Sequence, residues 1–170
     1  MLSFAMIASV YHPDAEEHRR AAESIGLVCP VDVFEQLFHE THAEPLFAAT
    51  VRKIDWLNVR WREAELTGAV LVEVQIPRDY EHAVVEARAA VQTDGLQDER
   101  SEVVSHWRGH GSWFRSPILV TGEVADLPIA YEMLVGFTRL GNLRRLMDRG
   151  ELPAPKRHRV WIGAAFMPTT

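Results

Sequence analysis

Disulfide chemistry is the first thing this sequence does without. Its one cysteine, Cys29, has no partner within the chain, so a reducing cytoplasmic compartment is expected. Set between Val28 and Pro30, Cys29 reads as a small core residue, since no thiolate-stabilising neighbour is evident. Long apolar runs are lacking too: none approaches the roughly 18 residues of a membrane-spanning helix. Met1–Val10 is apolar but short and has no basic flank, so it reads as a strand or core segment of a soluble protein rather than a signal peptide. Positive charge is in deficit, with a formal net charge of −6, which disfavours broad binding to nucleic-acid backbones. Internal repeats and low-complexity stretches are missing as well.

What is present suffices for a core. The 170 residues are 47% apolar and 25% charged, ordinary values for a globular chain. A chain of this length buries roughly 70% of its unfolded surface. One domain is expected, with residues 1–60 as a mainly helical N-terminal extension and 61–170 as an α+β core with a small mixed sheet. The cations are unevenly placed: Arg139, Arg144, Arg145, Arg149, Lys156, Arg157 and Arg159 crowd the C-terminal part, while the acidic excess lies earlier. That asymmetry suits a local anion site.

His12-Pro13-Asp14 predicts a helix start and Gly26 its end. A second helix follows Pro30, with Val33, Phe34, Leu37 and Phe38 at helical spacing. Residues 45–52 suggest another helical turn. Asp55–Leu66, carrying Trp56 and Trp61 among charges, reads as a strand or a pocket lip. Leu66–Ile76 is open between a short helix capped by Thr67 and an alternating strand. Asp79–Val91 is expected as a helix, Thr93–Arg100 as an exposed loop, and Ser101–Trp107 as a helix ended by Gly109. Strands follow at Ser116–Thr121 and Ala130–Val135, joined by a Gly122–Leu127 loop. Then come an amphipathic helix at Thr138–Arg149, stopped by Gly150, and a closing strand at Arg159–Ala165.

The segment Tyr131–Gly150 carries the functional argument. A strand runs into Gly136 and directly on into a helix. Gly136 can take backbone angles closed to other residues and admits close approach. Thr138 is placed to cap the helix. The free first-turn amides and the helix dipole favour an anion there, and Arg139 offers a bidentate fork for phosphate or carboxylate. The bland alternative is a capped helix bearing a surface arginine. A second cluster, His106–Pro117, is dense in glycine, aromatic and cationic residues; Trp113, Arg115 and His110 could wrap a planar or anionic ligand, or the tryptophans could simply close the core. His106 and His110 have metal-ligand spacing, but Gly109 is expected to break the helix between them and no metal site is expected. His39 and His42 are expected to cap a helix end or face solvent. A His110/Asp126/Ser112 set can be drawn, as such sets can in most chains of this size.

On these residues the Tyr131–Leu143 segment resembles the signature turn of the ParB/sulfiredoxin-like superfamily, in which an apolar strand, a glycine, one or two polar residues and an arginine precede a helix. The resemblance covers residues 115–163 well, including Arg159–Gly163, and 66–92 only loosely. It implies a strand–turn–helix core of that type and a nucleotide or phosphate at the turn, for example CTP or ATP with magnesium. Val135 and Phe137 stand where that superfamily is acidic or carries His or Gln, and the sulfiredoxin cysteine has no counterpart.

The implied function is therefore a non-catalytic or weakly catalytic binding protein, with ligand contacts from Gly136, Thr138, Arg139, Trp113, Arg115 and His110, of a kind associated with plasmid, phage or toxin–antidote systems. One alternative is a nucleotide-processing enzyme drawing its acid or base from Glu123, Asp126 or Glu132. Another is a purely protein-binding, immunity-type module with an acidic face.

Overall fold

The computed structural model describes residues 1–89 and 101–166. Its centre is a four-stranded mixed sheet in the order β1-β4-β2-β3, formed by β1 (Val59–Thr67), β2 (Ile118–Thr121), β3 (Tyr131–Val135) and β4 (Arg157–Ala165). β1 pairs antiparallel with β4, β4 parallel with β2, and β2 antiparallel with β3. The architecture is α+β, as expected.

Helices cover both faces of the sheet. On one face pack α1 (Phe4–Ser9), α2 (Ala15–Ser24) and α3 (Val31–Phe34), which runs on as a wider π-turn over Glu35–His39. Phe4, Phe34, Leu37, Phe38 and Trp56 meet Ile118, Val120 and Leu134 of the sheet there. On the other face lie α5 (Gly68–Val72), α6 (Glu81–Ala89), α7 (Ser101–His110) and α9 (Phe137–Asp148), whose apolar sides meet Leu119, Met133, Val160 and Ile162. Two short helices, α4 (Pro45–Thr50) and α8 (Gly122–Ala125), and 3-10 turns at Trp56–Asn58 and Arg78–Tyr80 complete the described elements. β2 therefore has cover on both sides, which explains its unbroken apolar run Ile118-Leu119-Val120. Each of those three side chains is fully buried, which is worth roughly 1.5–3 kcal/mol apiece.

Local chemistry sets the boundaries. Asp14 caps α2 by accepting from the Glu17 amide at 3.0 Å. Thr67 likewise caps α5 through the Val70 amide, so the Leu66–Ile76 ambiguity resolves as strand end, short helix, and one bridging residue, Gln75. Met1–Val10 contributes a helix rather than a strand, with Leu2, Phe4 and Ile7 buried. α7 runs through Gly109 to His110, because α-helical hydrogen bonding tolerates one exposed glycine at modest cost. Gly122–Leu127 is not all loop: it opens with α8 and turns at Asp126, in the left-handed region at φ 57°. The expected end of the Asp79–Val91 helix and the Thr93–Arg100 loop lie outside the described residues.

Trp56 is buried and stacks with half-buried Trp61 at 6.4 Å, so this pair packs rather than forming a pocket lip. Cys29 packs against the first core, where burial pushes its thiol up to about 12.

Candidate functional site

Gly136 joins β3 to α9 with φ 108°, in the left-handed region that favours glycine. A Cβ there would stand 2.7 Å from Pro117 Cβ. The glycine thus serves a tight turn under a close crossing by the segment that enters β2. Gly136 itself is the N-cap residue and no side chain caps the helix. Thr138 lies inside the first turn, so the expectation that it caps α9 is corrected: the helix begins one residue earlier than the sequence suggested. Phe137 stacks on Tyr80 at 4.4 Å and anchors the helix start to the second core.

Arg139 turns its guanidinium across this junction. One nitrogen donates to the Arg115 carbonyl at 2.6 Å and another to Gln36 Oε1 at 2.9 Å. The Arg115 guanidinium points to the α3/π-turn segment. Its Nε donates to Asp32 Oδ1 at 2.7 Å, one terminal nitrogen to Glu40 at 2.6 Å and the other to Glu35 at 2.9 Å. Asp32 also accepts from the Trp161 indole at 2.9 Å and from Gln36 at 3.2 Å. Burial pulls the Arg115 pKa down, but the Asp32 and Glu40 contacts outweigh it and the net shift is upward.

The junction thus carries two guanidiniums, three carboxylates and a buried amide, all joined by hydrogen bonds. The Arg115 backbone carbonyl meets Arg139 beside Gly136, whereas the Arg115 guanidinium points to Asp32, Glu35 and Glu40, so its expected place in a pocket at the turn is corrected. The arginine forks, expected to be open to an external anion, are turned to internal acceptors. The cause is helical periodicity: Asp32, Glu35, Gln36 and Glu40 share one polar stripe of the α3/π-turn segment, opposite Val33, Phe34, Leu37 and Phe38. The stripe was visible in the sequence, but its destination was not.

Trp113 and His110 do not join this group. Trp113 is buried and its indole donates to the Arg159 carbonyl at 2.6 Å, so its expected role as a ligand-stacking ring is corrected. His110 is exposed at the end of α7; its Nδ1 donates to the His106 carbonyl at 3.1 Å, and its own carbonyl accepts from Lys156 at 2.5 Å. The two rings stack at 4.2 Å on one continuous helix.

Ser112 finds a histidine, but a different one from the set drawn on the sequence: its Oγ lies 3.0 Å from His158 Nδ1. His158 is buried, and burial lowers its pKa from 6.5 to about 4, with Lys156 adding to the shift. Its Nε2 is buried with no hydrogen-bond partner. A base this weak, with no described carboxylate behind it, is poorly suited to activate the hydroxyl.

Of the candidate acids, Glu132 is half-buried on β3 and burial raises its pKa. Glu123 and Asp126 are exposed and line an open cavity of about 490 Å³ in the β2–β3 connection.

Histidines also gather where none was expected to meet. His18 is fully buried, its Nδ1 lies 3.2 Å from His39 Nδ1, and burial lowers its pKa. His42 donates to the His39 carbonyl at 2.8 Å and stacks on Tyr11. Among the described residues no group of three or more His, Cys, Asp or Glu side chains is arranged to hold a metal ion, and no described helix is long and apolar enough to cross a membrane.

No family model, no curated protein and no solved structure matches this chain.

Proposed function

We propose that this chain is a binding protein with no reaction of its own, and that the Arg115 fork beside the head of α9 is a small-anion seat held by the protein's own carboxylates. The observation that carries the reading is the Arg115–Arg139 junction: Arg139, in the first turn of α9, reaches the Arg115 carbonyl, and carboxylate oxygens of Asp32, Glu35 and Glu40 stand on the Arg115 guanidinium where anionic oxygens of a ligand would stand. The resemblance of this turn to the ParB/sulfiredoxin-like superfamily supports a nucleotide as the incoming anion. Val135 and Phe137 pack into the two cores, which supports binding over catalysis at the turn.

The charge balance bears on the form of the ligand. Three carboxylates against two guanidiniums leave the junction net negative, so a bare phosphate meets repulsion. A nucleotide carrying Mg²⁺ brings its own counter-charge and displaces the more exposed carboxylates, Glu35 and Glu40, first. In a thermal-shift titration with CTP, ATP and pyrophosphate, each with and without Mg²⁺, a ligand at 100 times its Kd stabilises the fold by about 2.7 kcal/mol. Arg139→Ala abolishes the shift, and Glu35→Gln/Glu40→Gln enlarges it. Phosphate release that disappears in Arg139→Ala would instead favour the nucleotide-processing enzyme. A flat response to all three ligands, in both the wild type and the Gln variant, overturns the anion-seat reading. It would leave a protein-binding module, which the excess of carboxylates on the α3/π-turn segment favours.

A further inference from the structure

A second feature of the surface is independent of the α9 junction. Three cavities adjoin along the outer edge of β3. The first, about 350 Å³, lies between the Val72–Ile76 segment and α6, and shares Glu73 and Val74 with the second, about 290 Å³. The second shares Ala130 with the third, the cavity of about 490 Å³ beside α8. Their shared lining residues set the three side by side along one open groove of the surface. Gln75 keys its floor to the sheet, donating its amide to the Tyr131 carbonyl at 3.0 Å and accepting from the Met133 amide at 2.9 Å.

Two chemistries line this groove. Val70, Val85 and Leu127 are 41%, 61% and 41% exposed, so apolar surface faces water on its walls. The same walls carry the exposed carboxylates of Glu73, Glu81, Glu123 and Asp126. No described basic side chain lies within 4 Å of the first three, and Asp126 has only Lys53 at 4.0 Å, both well exposed. Among the described residues lining the groove, the one cation is Arg144, whose guanidinium donates to the Val72 carbonyl at 2.7 Å and to the Val74 carbonyl at 3.3 Å, closing the C-terminal end of α5, while its charge also acts on Glu73.

We propose that this groove is the docking site for a basic segment of a partner protein, with lysine or arginine side chains alternating with aliphatic ones. Charge complementarity selects the occupant. Four carboxylates facing solvent attract cations and repel phosphate, which rules against nucleic acid, and the net charge of −6 strengthens the attraction at long range. The aliphatic walls supply the affinity that exposed ion pairs lack, since each such pair contributes little alone. An aliphatic stretch between two basic residues covers Val70 and Val85 while its cations reach Glu73 and Glu81.

Three fluorescein-labelled eight-residue peptides test this: alternating Lys-Leu, alternating Glu-Leu and alternating Lys-Ser. Binding is followed by anisotropy and located by amide chemical shifts. The Lys-Leu peptide is expected to bind at least tenfold more tightly than the other two, more weakly as salt rises, with shifts confined to residues 69–85 and 122–133. Glu73→Lys/Glu81→Lys is expected to lower the affinity at least tenfold. Glu17→Lys/Glu23→Lys on α2 makes the same charge change in a different layer and is expected to alter it less than twofold. Equal losses from both double variants would reduce the effect to bulk charge and overturn the proposal. So would shifts located elsewhere, no binding of the Lys-Leu peptide at millimolar concentration, or sedimentation showing that the groove is covered by a second copy of this chain.

Discussion

Gly141 lies in the second turn of a helix, where alanine would ordinarily be the better residue by about 1 kcal/mol. The structure reverses that expectation. A Cβ built on Gly141 would stand 2.5 Å from Ala87 Cβ and 2.6 Å from the Val84 carbonyl oxygen, both on α6, and 3.2 Å from the Arg88 amide nitrogen. None of these is the far end of a flexible side chain, so α6 must move bodily. Overpacking of this kind costs about 1–3 kcal/mol, and more where backbone is the obstacle. Gly141→Ala is therefore expected to destabilise the protein by about 1–2 kcal/mol net, lowering Tm by roughly 2–8 °C for a chain of this size. Gly109 provides the control. It lies exposed in α7 with no described atom within 4 Å of its notional Cβ, so Gly109→Ala is expected to raise stability by up to about 1 kcal/mol. Urea melts of the two variants beside the wild type give the signs directly. If Gly141→Ala is as stable as the wild type or more so, α6 and α9 do not approach as closely as described.

Three further outcomes follow from other contacts. Asp32→Ala strips an acceptor from Arg115 and from the Trp161 indole, both partly solvated; a loss of about 1–2 kcal/mol is expected in denaturant melts, narrowing in 1 M NaCl. His158 resists a proton that the unfolded chain accepts, so its contribution is intact above pH 6.5 and is lost as pH falls toward 4. That amounts to at most about 3 kcal/mol, and a His158→Gln variant is expected to show a shallower slope in melts across this window. Buried His18 adds a loss of the same sign. Cys29, half-buried and with its thiol raised to about 12, is expected to react slowly with an aromatic disulfide reagent at pH 8 in the native protein and promptly in guanidinium; rapid native reaction would contradict its raised pKa.

Sequence alone determined the parts of this protein whose physics is local. Asp14 and Thr67 found their amides because a cap acts within three residues. The Ile118–Val120 and Tyr131–Val135 runs became strands, and Leu140 and Leu143 turned inward, because periodicity is carried by the chain itself. The left-handed glycine before α9 was legible for the same reason. Where local signals competed they misled by a residue or two: Thr138 gave up the cap to Gly136, and Gly109 failed to end α7.

Only the tertiary structure decided which partner each long side chain took. Arg115 could have faced a ligand, yet it meets carboxylates 75 to 83 residues away, because the first core sets the α3/π-turn segment against the entry to β2. Ser112 met His158 rather than His110, and Trp113 spent its indole on a β4 carbonyl. A charged or aromatic side chain has several acceptable partners, and the choice falls to whichever one the packed sheet and helices bring within about 3 Å. The polar stripe Asp32, Glu35, Gln36 and Glu40 was written in the sequence, while its meeting with Arg115 and Arg139 exists only in the folded chain.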